Sequence, residues 1–509
     1  MGADVLQGLM ASVSPGNLMI MSLAIVGGII IGSLPGLSAT MGVALLVPLT
    51  FGMDPGTGLL MLGALYTAAM FGGANSAILL NTPGTPANVA TTFDGYPLTK
   101  KGQADRALVT ALTSSVIGGI IGTLFLLFLA QFLANFALRF GPPENFWLAV
   151  FGLTIIGSLA GRSVLKGMIG GGIGLLLALI GIDPVSGASR FTFGFGELNQ
   201  GIELIPAMIG FFTIPQIIHL IESRDKYVSK IDKRKGVYKE AFFNVFKKPV
   251  TLIRSSLIGT FIGMLPGAGG NVASFVAYNE SKRFSKTPKE YGKGSIDGVV
   301  TSESANNATV SSSLIPLLTL GIPGSPVAAV LLGGLLIHGL RPGAELFTGS
   351  GHIAYTFMIG LIVANILLLI IGLLGTKFFV KALNVPINYL VPIITVLAIM
   401  GAYAIRNSFL DVYIMLACGV IGYFAIKVGI HVGPIVLGLI LGVIAEQGFV
   451  SSVIQANSGQ NLFELFFTRP ITIILIIMTV LSLFTPLWVA YQQNKAKGTT
   501  GSNDKNINA

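Results

Sequence analysis

Charge, cysteine and histidine are all scarce in this sequence. Charged residues make up 10% of the 509 residues and the apolar types AVILMFWYC make up 52%, whereas a typical soluble domain has roughly 25% charged residues. The mean hydropathy is +0.80, and several uncharged stretches are longer than the ~20 residues that cross a bilayer core. So little charge cannot cover the surface of a water-soluble protein of this length. The composition argues against a soluble enzyme, a nucleic-acid binder or a disordered scaffold, and it predicts an all-α polytopic membrane protein.

Motifs that bind metals or nucleotides are also missing. The single cysteine, Cys418, cannot form an internal disulfide, and the four histidines are too dispersed for a zinc pattern. Neither an H-E-x-x-H motif nor a G-x-x-x-x-G-K-[ST] loop occurs. We therefore expect no metal site and no cofactor. Any energy for transport has to come from an ion gradient, of Na⁺ or protons, or from another subunit.

Basic residues concentrate in one segment near the middle of the chain. Residues 224–254 hold ten Lys/Arg and three Asp/Glu, within a net charge of +10. Because Lys and Arg resist translocation, such a loop usually lies on the cytoplasmic side. Met1–Asn17 has no Lys or Arg, so it lacks the basic region of a signal peptide and is expected to face outward. The pattern predicts two membrane halves, at 1–222 and 251–491. A basic cytoplasmic loop at 223–250 separates them, and a cytoplasmic tail follows at 492–509.

Two long uncharged stretches are interrupted by glycine and proline. Leu18–Met53 would be about 54 Å long as one helix, against a bilayer core of about 30 Å, and Gly32–Gly36 lies near its middle. Pro55–Phe93 is interrupted at Asn81–Pro86, where two prolines and a glycine cannot continue a helix. We predict re-entrant hairpins or broken half-helices at both places. With roughly 11–13 membrane segments expected in total, ordinary spans are predicted near 107–134, 145–161, 164–182, 201–222, 353–375, 387–405, 411–427, 432–446 and 470–491.

Both breaks recur in the second half of the chain. Ile31–Gly36 and Ile262–Gly267 share five of six residues, and Thr82–Pro86 recurs as Ile322–Pro326 with both prolines and the glycine. Apolar segments interrupted by Gly and Pro at matching positions in two halves indicate the binding site of a secondary transporter. The alternative is that the breaks are structural kinks. The order of the motifs predicts a duplication, with copies at about 18–106 and 251–350.

The charges that flank the first break differ between the two copies. Segment 255–279 has basic residues on both sides, as expected for a hairpin that enters from the cytoplasm. Its counterpart 18–53 has no Lys or Arg on either flank. We therefore predict two inverted repeats, whose second breaks meet near the middle of the membrane.

Neutral polar residues cluster around the four breaks. Together with backbone N–H groups at broken-helix N-termini they can bind a carboxylate, although the same side chains can instead cap the broken helices. The substrate-binding candidates are Pro35, Gly36, Ser38, Asn81, Thr82, Pro83, Gly84, Thr85, Asn88, Pro266, Gly267, Asn271, Asn306, Asn307, Pro323, Gly324 and Ser325. Glu303 is the acid nearest the predicted interior and is the candidate for coupling to a cation. The alternative, which the sequence favours, is that Glu303 is a carboxylate at a loop end.

Several motifs taken together resemble one known family. I-G-x-L-P-G at 31–36, L-L-N-T-P-G-T-P at 79–86, F-D-G-Y-P-L at 93–98, A-N-N-A at 305–308 and L-T-L-G-I-P-G-S at 318–325 are similar to the large, TctA-type membrane subunit of tripartite tricarboxylate transporters. The resemblance extends from about Gly16 to Trp488. It implies an ion-coupled permease that imports tricarboxylates or dicarboxylates across the bacterial cytoplasmic membrane. It also implies two partners, a small membrane subunit and an extracytoplasmic solute-binding protein.

Other functions stay open on the residues alone. A stand-alone ion-coupled anion transporter, or a membrane scaffold subunit without its own substrate site, agrees with the same composition. A channel would need rings of carbonyl or charged groups from several subunits, and an inverted duplication with two unlike copies favours a transporter instead. Scattered histidines and few intramembrane acids argue against a membrane-embedded enzyme, and no catalytic residues are predicted.

Overall fold

The computed structural model describes residues 2–159, 164–183, 186–222, 237–267, 269–382, 385 and 387–482. Regular structure in these ranges is helical except for one antiparallel ribbon, in which Gly181–Ile182 (β1) pairs with Ser189–Arg190 (β2). Single 3₁₀ turns lie at Pro48–Thr50, Pro86–Asn88, Gly196–Gln200 and Pro288–Glu290. The helices are α1 (Gly2–Ser12), α2 (Pro15–Ser33), α3 (Ala39–Leu46), α4 (Pro55–Leu80), α5 (Val89–Lys100), α6 (Ala104–Ala137), α7 (Pro142–Leu159), α8 (Val164–Ala178), α9 (Leu204–Glu222), α10 (Val237–Phe246), α11 (Pro249–Gly263), α12 (Gly269–Phe284), α13 (Ile296–Ser312), α14 (Leu314–Leu320), α15 (Pro326–Ile337), α16 (Ala344–Gly349), α17 (Gly351–Ala382), α18 (Ile387–Arg406), α19 (Phe409–Lys427), α20 (Val432–Asn457), α21 (Leu462–Phe467) and α22 (Pro470–Ser482).

Many of these helices are built to cross a membrane. In the described part of the chain, eight are long and apolar enough by length and composition, namely α2, α4, α6, α9, α17, α18, α19 and α20. Shorter apolar helices accompany them, including α8, α11 and α15. Large apolar side chains face outward, for example Phe128 on α6 and Leu374 on α17, which are 78% and 85% exposed. Such side chains suit a lipid environment rather than water, and the prediction of an all-α polytopic membrane protein is confirmed.

The chain folds into two compact units. One comprises Met1–Leu138 and Glu203–Phe424, and the other comprises Arg139–Ile202 and Ala425–Ala509. The first unit contains both copies of the duplicated motifs. Of the predicted basic loop, residues 223–236 lie outside the described residues, as do the predicted tail and the end of the last predicted span. The rest of that loop forms α10 and the start of α11.

The first break separates two half-helices in both copies. In the first copy α2 ends at Ser33, Gly36 has a φ of +87°, and the Ser38 side chain accepts a hydrogen bond from the Met41 N–H (3.1 Å) at the start of α3. In the second copy α11 ends at Gly263 and Gly267 has a φ of +79° before α12. Positive φ values favour glycine, so the Pro-Gly pair explains why each helix stops there. The predicted breaks are confirmed.

The second break is also present in both copies. Asn81 ends α4 in the left-handed region with a φ of 58°, and the chain resumes in the turn at Pro86 that leads into α5. Gly321 ends α14 with a φ of 73°, and α15 begins after Ser325. Left-handed residues are typical of helix C-termini, and proline suits the first position of the next helix.

The two copies share several backbone contacts. Residues around the second break are related by an offset of 240 positions, and the structure follows that offset. The Gly84 N–H donates to the Gly73 carbonyl (3.3 Å), and the Gly324 N–H donates to the Ser313 carbonyl (3.2 Å). A Cβ added at Gly84 would clash with a carbonyl oxygen of the first break in its own copy, and a Cβ added at Gly324 would do the same. The duplication is therefore present as matched structure, whereas the inversion of the repeats stays a prediction.

Candidate functional site

Helix α13 is buried although it is rich in polar residues. Ser302, Glu303, Ser304, Asn306 and Asn307 are each 0% exposed, although a helix of this composition would normally lie at a surface. Neighbouring helices approach α13 through glycine, since a Cβ at position 118 or 122 of α6, or 259 of α11, would clash with an α13 carbonyl oxygen. Small residues at such contacts let backbones pack closely in membranes. The close packing buries the whole polar face of α13.

Glu303 lies at the centre of this polar face. Its Oε1 accepts hydrogen bonds from Asn88 Nδ2 (3.0 Å) and the Thr91 hydroxyl (2.5 Å), and its Oε2 accepts one from the Ser115 hydroxyl (2.9 Å). Asn307 Nδ2 lies 3.5 Å from Oε2 and donates to Ser115 Oγ at 2.8 Å. These donors come from the turn at residues 86–88, α5, α6 and α13 itself. The interpretation of Glu303 as a loop-end carboxylate is therefore wrong, because the side chain is enclosed by four elements.

The neutral surroundings of the Glu303 carboxylate determine what it can bind. Every side chain that donates to the carboxylate is neutral, and no Lys, Arg or His bonds to it among the residues that the structure describes. A buried carboxylate without a counter-charge is costly, and at membrane depth insertion scales give roughly 2.5–3.5 kcal/mol for an acidic side chain. Such a carboxylate favours binding either a proton or a metal cation. The hydroxyl oxygens of Thr91 and Ser115 next to it are of the ligand type that suits Na⁺ rather than a thiolate-preferring metal, whereas Asn88 and Asn307 present N–H groups to the carboxylate.

A second buried acid, Asp94 on α5, has a different environment. Its side chain accepts hydrogen bonds from the Tyr278 hydroxyl (2.8 Å) and from the backbone N–H groups of Gly292 (2.9 Å), Gly294 (2.8 Å) and Ser295 (2.7 Å). The last of these precedes the first turn of α13, so the carboxylate also faces the positive end of the helix dipole. Four donors satisfy an ionised carboxylate without a cation. Asp94 therefore fixes the N-terminus of α13 and, through that helix, the position of Glu303.

Asn306 follows Glu303 by nearly one turn of α13 and has unusual surroundings. Neither its Nδ2 nor its Oδ1 has a hydrogen-bond partner among the described residues, and the side chain is fully buried. Its amide faces the start of α12, since a Cβ built on Gly270 would clash with Asn306 Oδ1 and would lie 3.0 Å from Ala87 Cβ. Buried polar groups are normally bonded because an unmade bond costs about 1–3 kcal/mol. Asn307 Oδ1 likewise has no partner in this part of the structure.

The predicted residues at the breaks fall into different roles. Thr85 is buried and donates to Asn88 Oδ1 (2.5 Å), so it orients an amide that binds Glu303. Ser325 caps α15 by accepting from the Ala328 N–H (3.1 Å), and Ser38 caps α3 in the same way. For these two serines the capping alternative describes the structure. The remaining candidates are buried at Gly84, Pro266, Pro323 and Gly324, intermediate at Pro35, Gly36, Thr82, Pro83 and Gly267, and exposed at Asn81 and Asn271.

The structure thus brings together Thr85, Asn88, Asn307 and Glu303, with Asn306 beside them. Sequence reasoning missed Thr91, Ser115 and Asp94 as members or supports of this cluster. Ser115 lies inside a long apolar run, and only its spatial position next to α13 identifies it. Asp94 belongs to a motif that carried the resemblance, but the sequence alone gave it no role.

Comparisons with known proteins identify the family of the chain. Residues 18–437 match the model of the Tripartite tricarboxylate transporter TctA family. An uncharacterized 52.8 kDa protein in the TAR-I ttuC' 3' region of Agrobacterium vitis is 36% identical over 417 residues, which cover 81% of this chain and 82% of that protein. An uncharacterized protein in the TAR-II ttuC' 3' region of the same organism is 38% identical over 213 residues, covering 42% of this chain and 87% of that protein. No solved structure matches the chain. The chain therefore belongs to the tripartite tricarboxylate transporter TctA family and is, by family, a multi-pass membrane subunit of a transporter rather than an enzyme.

Proposed function

We propose that this protein is the permease subunit of a binding-protein-dependent secondary transporter, which imports carboxylates across the bacterial cytoplasmic membrane with Na⁺ or protons. The observation that carries the proposal is the Glu303 carboxylate, buried between the two copies and bonded only by neutral groups. The tripartite family supports the partners, a small membrane subunit and an extracytoplasmic solute-binding protein.

Cation coupling follows from charge balance. An anionic substrate that enters a cell with a negative interior moves against about 2.3 kcal/mol per charge per 100 mV. A cation bound at Glu303 travels with the substrate and offsets that cost. Both copies contribute to the cation site, because Asn88 and Thr91 follow the second break of the first copy and Glu303 lies on α13 of the second.

The carboxylate substrate binds to neutral groups close by. Hydroxyl and amide side chains, with free N–H groups at a helix start, hold an anion without the permanent cost of a buried Arg. The contact between the second break of the first copy and α12 of the second copy contains such groups, since Ser274 donates to the Ala87 carbonyl (2.9 Å) there. A rearrangement that separates the copies would break the bonds to Glu303, which links cation release to opening of the site.

The test is uptake of radiolabelled citrate, malate, succinate and tartrate into vesicles that contain the protein and its small membrane subunit. We expect uptake of at least one of them that requires the solute-binding protein and stops when the Na⁺ or the proton gradient is collapsed. Vesicles without the protein are the control. Uptake without the binding protein would favour a stand-alone transporter, and uptake that persists without either gradient but stops on ATP depletion would contradict ion coupling.

A further inference from the structure

The duplication allows the polar site to be compared with its own counterpart. With the offset of 240 positions, Glu303, Asn306 and Asn307 on α13 correspond to Gly63, Tyr66 and Thr67 on α4. The correspondence holds in three dimensions, because Gly28 packs against the Leu65 carbonyl whereas Gly259 packs against the Ala305 carbonyl. The same backbone framework therefore carries two sets of side chains.

In the first copy the equivalent space is filled. The Tyr66 hydroxyl lies 3.2 Å from Ser325 Oγ and 3.5 Å from Ser313 Oγ, so the tyrosine closes onto the second break of the other copy. Where Glu303 has its carboxylate, Gly63 has none, and a Cβ there would lie 2.7 Å from the Phe357 ring and 2.9 Å from Leu361. Thr67 donates to the Gly63 carbonyl of its own helix at 2.9 Å. These groups leave no polar atom of Tyr66 or Thr67 without a partner.

In the second copy the equivalent position is polar and unsatisfied. Asn306 replaces the tyrosine, and its amide nitrogen and oxygen have no partner in the described structure. It faces the first turn of α12, a helix of 16 residues, where N–H groups and the helix dipole favour an anion. Glu303 lies three residues before it on the same helix. An anion at Asn306 and a cation at Glu303 would attract each other across about one helical turn.

We infer that the substrate carboxylate binds on one side only, to the Asn306 amide at the start of α12, and that Tyr66 closes the equivalent position. The inference rests on the proposed carboxylate transport. It replaces a binding site shared equally by the two copies with a single subsite in the second copy. In the structure Asn306 Oδ1 is the amide atom nearest Gly270, and because neither amide atom has a partner among the described residues, a half-turn of the amide costs no hydrogen bond and lets Nδ2 donate to the carboxylate beside the first N–H groups of α12. The adjacent Glu303 binds the coupling cation, so that the two ligands favour each other.

Four variants test the inference in the vesicle assay, with radiolabelled citrate, malate, succinate and tartrate as probes. Asn306→Ala removes the donor, and we expect the substrate concentration for half-maximal uptake to rise at least ~10-fold, as for a hydrogen bond to a charged group. Asn306→Asp keeps the volume but adds a negative charge, and we expect no uptake. Gly270→Ala presses a methyl group onto the amide and should raise the half-maximal concentration as well. The matched control is Tyr66→Phe, which should stay within about 2-fold of the parent because it keeps the ring that fills the position and removes a hydroxyl that, among the described residues, bonds only to Ser313 and Ser325.

Amount in the membrane and thermal unfolding in detergent show that each variant folds. If Asn306→Ala does not fold, Gly270→Ala carries the test from the opposite helix. Parental half-maximal concentrations in both the Asn306 and the Gly270 variants would overturn the inference, as would a loss in Tyr66→Phe equal to that in Asn306→Asp. Failure of the parent itself to take up any of the four probes would instead contradict the proposed function.

Discussion

Helices α4 and α13 occupy equivalent positions in the two copies but differ in what they bury. On α4 the equivalent positions are Gly63, Tyr66, whose hydroxyl is hydrogen-bonded, and Thr67, whose hydroxyl donates to a carbonyl of the same helix. On α13 the same positions hold one glutamate and two asparagines. Several backbone contacts around them match, among them the hydrogen bond between Gly84 and Gly73 and its counterpart between Gly324 and Ser313. The difference indicates that the duplication supplies a framework, while of these two helices only α13 carries the buried acid and the unpartnered amide, and Asn88 and Thr91 of the first copy complete the surroundings of Glu303.

Equivalent residues at the second breaks also differ in role. Ser325 accepts a bond from the N–H of Ala328 and so caps its helix. Thr85, at the equivalent position, instead donates to Asn88 and thereby orients a ligand of Glu303. Matched residues in a duplicated protein therefore need not share a function.

The largest effect is expected from Gly84→Val and Gly324→Val, which disrupt the close contact between the two breaks that both copies share. Each valine would clash with backbone of the first break in its own copy, and overpacking of this kind costs about 1–3 kcal/mol or more. We expect uptake to be abolished in both variants, measured in vesicles at equal protein content. Gly52→Val is the control, because nothing lies within 4 Å of a Cβ there. Normal uptake in either break variant would show that the close contact is not needed for transport.

The next effect separates a hydroxyl that bonds to Glu303 of the second copy from one that bonds only within its own helix. Thr91→Val removes the 2.5 Å bond to Glu303, and hydrogen bonds to charged groups are worth about 1.5–3 kcal/mol. We expect the cation concentration for half-maximal uptake to rise by about 10-fold or more, since 1.4 kcal/mol is a factor of ten. Thr67→Val is the matched control, because Thr67 belongs to the same copy as Thr91 but its hydroxyl bonds only within α4. Equal effects in the two variants would contradict a cation site at Glu303.

The smallest effects distinguish a cap from a positioning residue. Ser325→Ala should lower the free energy of unfolding by about 1 kcal/mol, as for the loss of an N-cap, and leave the cation requirement unchanged. Thr85→Ala should raise the cation concentration for half-maximal uptake by a few-fold, since Asn88 loses its orientation. Thermal unfolding and cation titration of uptake measure the two quantities. A raised cation requirement in Ser325→Ala alone would reverse the assigned roles.

The sequence predicted the breaks because glycine and proline act locally on the backbone. It did not predict that Glu303 is enclosed, because the polar composition of α13 is typical of a loop end. Only the structure shows that Gly118, Gly122 and Gly259 let neighbouring helices pack closely against α13. Ser115 and Thr91 were missed for a related reason, since a hydroxyl in an apolar or mixed run becomes a ligand only through tertiary packing. The difference between the buried side chains of α4 and α13 could be recognised only from the structure, because the matched backbone contacts show which residues of the two copies correspond.

Coupling through Glu303 is tested most directly by Glu303→Gln, which keeps the shape of the side chain and removes its negative charge. The measurement compares accumulation driven by a cation gradient with exchange of internal for external substrate in the same vesicles. We expect the variant to retain exchange while losing gradient-driven accumulation and its dependence on Na⁺ or pH. Gradient-driven accumulation equal to that of the parent, with the same cation dependence, would contradict the assignment of the coupling cation to Glu303.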